Sequence, residues 1–172
     1  MTLFDVTVPP LKRLTQAIPR LIRKLDDEGP LGHRLAEDGF TGGEHFCVAL
    51  GYVARTVMPL QGDDVPDLPF DPSAGAIVAL AQDMHFLLGS LTPLNFEGAE
   101  AREITHVAGE AELTQTGQDY ALLYALPNAQ FHLTLGYATL RAAGANVGKG
   151  DLDGFHVYSP GTNFAQRGTV SH

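Results

Sequence analysis

The chain has 172 residues, enough for one domain with a sizeable core and too few for two of ordinary size. Eleven Lys and Arg against 20 Asp and Glu give a formal charge of −9, which repels phosphate backbones and argues against a nucleic-acid partner. At 44 % hydrophobic and 18 % charged residues the composition is globular. The lone Cys47, the absence of a signal-peptide pattern in MTLFDVTVPP and the absence of any apolar run near the ~20 residues of a membrane helix lead us to expect a cytoplasmic protein with no membrane partner.

Leu11, Leu14, Ile18, Leu21, Ile22 and Leu25 fall on one face of a helix over residues 11–25. Pro9 and Pro10 suit its first turn, Pro19 is expected to kink it, and its five basic residues read as a solvated face. A second helix is expected over residues 44–58, entered from the Gly-rich turn at Thr41 and ended by Pro59. Its interior Gly51 implies close packing or space for a ligand. The segment GDDVPDLPFDP carries too many prolines for a helix and reads as a loop, and its four aspartates lack the spacing of a calcium loop.

Residues 73–91 form a third helix with Ser73 at its start and Ile77, Leu80, Met84, Leu88 and Leu91 on the apolar stripe. Alternation over residues 103–107 and 110–114, around Ala108 and Gly109, marks a small hairpin. Helical spacing resumes at Asp119, a candidate cap, and runs across Pro127, which is expected to start a new helix, to Gly144. Four amphipathic helices and one hairpin predict an all-α four-helix bundle.

The pieces FEGAEAREIT, TGQDYALLYALPNAQFH and YATLRAAGANVGKGDLDG resemble the domain-of-unknown-function family DUF1993, of the DinB/YfiT-like superfamily, over residues 3–154. The resemblance implies a DinB-like bundle over residues 1–154, commonly a homodimer. It also implies a divalent-metal site of three histidines, one from helix two and an H-x-x-x-H pair from the last helix. This sequence reads N-x-x-x-H there, with Asn128 and His132 four residues apart on one face, and His45 in the region of the first histidine. A neutral amide oxygen is a weak substitute for imidazole.

Three readings follow. In the first, a small-molecule ligand occupies a pocket at the bundle end lined by His45, Tyr52, Asn128 and His132. His132 is then the acid or base, because imidazole titrates near neutrality, with Tyr52, Tyr120, Tyr137 or Asp119 as orienting partners. In the second, His45 and His132 hold a divalent metal with Asn128 or His85 assisting, as in a superfamily hydrolase or transferase. In the third, the protein is a dimeric scaffold in which Asn128 and His132 satisfy buried polar groups beside Pro127. Cys47 reads as a buried structural thiol. The tail 155–172 is expected to dock on the bundle or a partner subunit through Phe155, Tyr158 and Phe164, with His156 and Tyr158 near the pocket if it crosses the mouth.

Overall fold

Two capping boxes start the first two long helices. Thr2 accepts from the Asp5 amide and the Asp5 carboxylate accepts from the Thr2 amide, so α1 (Leu3–Ile22) begins eight residues before the first residue of the expected apolar stripe. Pro9 and Pro10 therefore lie inside it, exposed, while Pro19 is buried, and the helix runs on as one element through all three. Thr41 and Glu44 form the same reciprocal pair at the head of α2 (Gly42–Gln61), which extends past Pro59 to Gly62, in the left-handed region at φ +86°. This computed structural model describes residues 2–159 and 162–163.

After the proline-rich loop, α3 (Ala74–Ser90) follows with Ser73 at its N-cap position; the Ser73 hydroxyl makes no cap bond, and its amide donates to Asp71 instead. The hairpin pairs β1 (Glu103–Ala108) with β2 (Ala111–Thr116) in antiparallel register, Ala108 opposite Ala111, through a turn in which Gly109 takes φ +63°. Along β1 the pleat turns Ile104, His106 and Ala108 inward and leaves Glu103, Thr105 and Val107 exposed. Thr116, not Asp119, caps the next turn: its hydroxyl accepts from the Asp119 amide at 3.2 Å. Residues Tyr120–Ala125 then wind as a π-helix and continue without a break into α4 (Leu126–Ala142), with Pro127 just past the junction, where it withholds one backbone donor from the continuous run.

The molecule is mostly helical with one small two-stranded antiparallel sheet. Helix α2 packs chiefly on α4 and α1 chiefly on α3, with α2 also against both α1 and α3. Phe46, Leu50, Val53, Val57 and Leu60 of α2 are fully buried, as are Leu11, Ile18 and Leu21 of α1, Ile77 and Leu88 of α3 and Leu140 of α4. Gly136 sets the spacing of α2 and α4, because a Cβ there would stand 2.5 Å from the Phe46 ring. At Gly51, by contrast, a Cβ meets nothing within 4 Å, so close packing does not account for that glycine. Among the described residues no single helix is long and apolar enough to cross a membrane.

The basic stripe of α1 is not only a solvated face. It seats α5 (Lys149–Asp153): Arg20 Nε donates to the Asp151 carbonyl at 2.9 Å, Lys24 pairs with Asp151 at 2.9 Å, and Arg13 reaches the Asp153 carbonyl while lying 3.9 Å from the Phe155 ring centre. Phe155 is 71 % exposed, so Arg13 clasps it without burying it. Phe164 lies outside the described residues.

The two glycines separate packing from backbone freedom. Gly136→Ala is expected to lower stability by about 1–2 kcal/mol through overlap with Phe46, whereas Gly51→Ala, in open space, is expected to raise it by up to ~1 kcal/mol. Thermal melts of the two variants decide; equal melting temperatures would show that the α2–α4 spacing is soft.

Candidate functional site

His45 lies in the second turn of α2 and His132 in the second turn of α4, and both are buried. The close packing of these helices brings the rings together, and the Nδ1 atoms are 2.9 Å apart, a hydrogen bond in which one ring donates and the other accepts. Rings enclose the pair. Phe40 meets His45 edge-on at 5.6 Å and His132 at 6.0 Å, Phe131 meets His132 edge-on at 5.1 Å, and Tyr52 lies nearly parallel to His132 at 6.1 Å.

The pair forms one wall of a cavity of about 630 Å³, whose other walls include Leu35, Phe40, Phe131 and Leu135. The loop over it is pinned by Arg34, which donates to the Gly39 carbonyl and lies 3.3 Å from the Glu44 carboxylate, and by an Arg34–Thr41 bridge. Glu44 thus caps α2, anchors the loop and is held below the ordinary carboxylate range, chiefly by the Thr41 amide.

Burial disfavours the imidazolium at both positions. It pushes His132 down to about 4, with further lowering from His45 and Arg55, and it lowers His45 against the opposing charge of Glu44. At neutral pH both rings are therefore uncharged. The shared Nδ1 hydrogen bond then forces opposite tautomers, so one ring keeps its proton on Nε2 and the other presents a bare Nε2 lone pair. Neither Nε2 has a hydrogen-bond partner among the described residues, and neither is sealed from solvent. The wall accordingly offers one donor and one acceptor to whatever enters.

The other residues singled out from sequence fall elsewhere. Asn128 shares the helical face of His132, but its side-chain amide donates to the Tyr124 carbonyl at 2.7 Å, at the junction of the π segment with α4, and it does not line the cavity. The Tyr120 hydroxyl donates to the Arg55 carbonyl at 2.6 Å, and its ring packs on His106 and Tyr124. Tyr137 accepts from Arg141 at 3.3 Å on the exposed side of α4. His85 is bonded to Thr15, at 2.9 Å, between α1 and α3. The Cys47 thiol donates to the Asp71 carbonyl and is pushed up to about 11 by burial, so it is not a thiolate. Among the described tail residues, His156 and Tyr158 do not line the cavity. Phe40 and Phe131 escaped the sequence reading. Phe131 precedes His132 directly, while Phe40 sits in a loop without periodicity.

A three-imidazole metal set does not fit this arrangement. Among the described residues no three His, Cys, Asp or Glu side chains converge, Asn128 and His85 are committed elsewhere, and the two Nδ1 atoms already bond each other.

The lowered imidazoles tie stability to pH. The unfolded chain takes up protons below about pH 6.5, where the folded pair still refuses them, so unfolding free energy falls as pH drops from ~6.5 toward 4 and is flat above that window. The contribution of His132 is on the order of 2–3 kcal/mol. Urea titrations at pH 7.5 and 5.0 are expected to show a smaller fall for His132→Phe than for the parent protein; equal falls would mean that the pair is not held neutral.

Over residues 3–152 the chain matches the model of a domain of unknown function, DUF1993. No curated protein matches it. Among solved structures it is similar to a DinB family member protein from Shewanella denitrificans, with 24 % identity over 91 % of this chain and 94 % of that one and a TM-score of 0.79. At that identity the likeness shows the fold. With most of its length inside the matched model, and with the fold of a DinB family member, the chain belongs to the DUF1993 family.

Proposed function

We propose that the protein is a DinB-like four-helix bundle that binds a small, uncharged and largely apolar molecule in the cavity beside His45 and His132. In this reading the two imidazoles serve it as a paired acid and base. The single observation that carries this reading is the neutral pair, Nδ1 to Nδ1 at 2.9 Å, on the wall of an apolar cavity of about 630 Å³.

The pairing suits bifunctional proton transfer. The bare Nε2 accepts a proton from the ligand, the Nδ1 proton crosses to the partner ring, and that ring releases its Nε2 proton to a second ligand atom. Each ring ends neutral in the opposite tautomer, and no net charge is created inside the ring of aromatics. Two uncharged imidazoles offer an anion one N–H and no charge, the Arg34 side chain on the lining is paired with Glu44, and Phe40, Phe131, Leu35 and Leu135 favour an apolar body.

A protein-observed NMR screen of neutral fragments, following the imidazole ring protons, tests this. Binding fragments are expected to shift the ring protons of His45 and His132 and to lose affinity at least about tenfold in His132→Phe. Hits that leave both rings unmoved would sink the proposal. So would about one zinc, nickel or manganese per chain retained after dialysis by the parent protein and lost in His132→Ala, which would make the two histidines metal ligands.

Asn128→Ala is expected to cost about 1 kcal/mol of stability and to leave fragment binding unchanged, because its amide serves the Tyr124 carbonyl and not the cavity. Calorimetry beside the same fragment titration reads both quantities.

A further inference from the structure

A second cavity, of about 530 Å³, opens on a different stripe of α2, that of Val48, Gly51 and Arg55. The proline-rich loop, β1 and the π segment close its other sides. The open space beside Gly51 belongs to this cavity.

Its polar groups are incompletely used. Arg55 lies 5.4 Å from the Tyr52 ring centre, its backbone fixed by the Tyr120 hydroxyl, and it forms no ion pair with any described carboxylate, Asp67 on the cavity lining included. The Tyr52 hydroxyl donates to the Tyr124 hydroxyl at 3.2 Å, which leaves the Tyr124 proton without an acceptor among the described residues. His106 is anchored through Nε2 to Gln115 at 2.8 Å, while its Nδ1 is buried and has no partner. Gln115 Oε1 only accepts, so Nε2 carries the His106 proton and Nδ1 is a bare acceptor, which leaves Arg55 and the Tyr124 proton as the groups on this wall that suit an anion.

We propose that this cavity is a second ligand site, separate from the imidazole-lined one, and that it takes a small organic carboxylate. The acid group is bound by the Arg55 guanidinium and the Tyr124 hydroxyl, and an apolar body lies against Val48, Leu68 and Ile104. A chain of net charge −9 repels anions at long range, and Arg55, exposed on the cavity lining without an ion pair among the described residues, supplies a local attraction against that background.

Titration calorimetry with benzoate and hexanoate, each beside its neutral amide, tests the assignment. At least one carboxylate is expected to bind at or below about 1 mM and about tenfold more tightly than its amide. Affinity is expected to fall about tenfold in Arg55→Met and again in Gly51→Met, whose side chain fills open space and leaves the fold intact, and to stay unchanged in His132→Phe. No binding of either acid below about 10 mM overturns the proposal, as does binding that ignores the charge of the acid or the loss of Arg55. Loss of binding in His132→Phe alone would place the acid in the first cavity instead.

Discussion

The close approach of α2 to α4 is the constraint from which the rest of the arrangement follows. It exists because Gly136 has no side chain where the Phe46 ring lies, so the two helix backbones come near enough for buried side chains of each to touch. His45 and His132 meet across that seam near one end, and Tyr52, Tyr124 and Arg55 gather further along it. A wider seam would admit water between the histidines, weaken the penalty on the imidazolium and dissolve the tautomeric pairing.

Two neighbouring regions of one helix thereby acquire opposite electrostatic characters. Around the histidines, the rings of Phe40, Phe131 and Tyr52 and the aliphatic wall disfavour charge, and the Arg55 cation further lowers His132. Around Arg55, the phenols are themselves kept protonated: burial pushes Tyr120 up to about 12 and raises Tyr52, with the Tyr124 hydrogen bond adding to it. Phenols that do not ionise keep their bonds to the Arg55 carbonyl and to the Tyr124 hydroxyl, and the second of these leaves the Tyr124 proton free for a ligand.

Much of the helical frame was legible in the sequence because amphipathic periodicity survives local irregularity. The stripe from Leu11 to Ile22 and that from Ile77 to Leu88 are the buried faces of α1 and α3. The ends were less legible. Thr2-x-x-Asp5 and Thr41-x-x-Glu44 are capping boxes written in the sequence; the second coincides with the expected turn at Thr41, and the first starts α1 well before Pro9 and Pro10, which suit a first turn equally well. His45 and His132 stood out because the family resemblance implies histidines in those regions, and the fold makes each the other's partner. Asn128 misled because spacing of four fixes a common face and says nothing of which backbone group the amide serves. Phe40, Arg55 and His106 gather from a loop, a helix and a strand, and only the tertiary fold assembles them with their partners.

The π segment from Tyr120 to Ala125 has a consequence for how this chain tolerates change. A π turn holds one residue more than an α turn covering the same angle, so the segment contains a single surplus residue between the hairpin and α4. Deleting any one residue there would let the helix close into regular α geometry. Because the π turn absorbs that residue, the turns on either side would keep their relative register, and only the groups within the segment, Tyr120 and Tyr124 on the second cavity, would be respaced. The spacing of the phenols on the second cavity is therefore encoded in chain length, whereas the placement of His132 on the first is not.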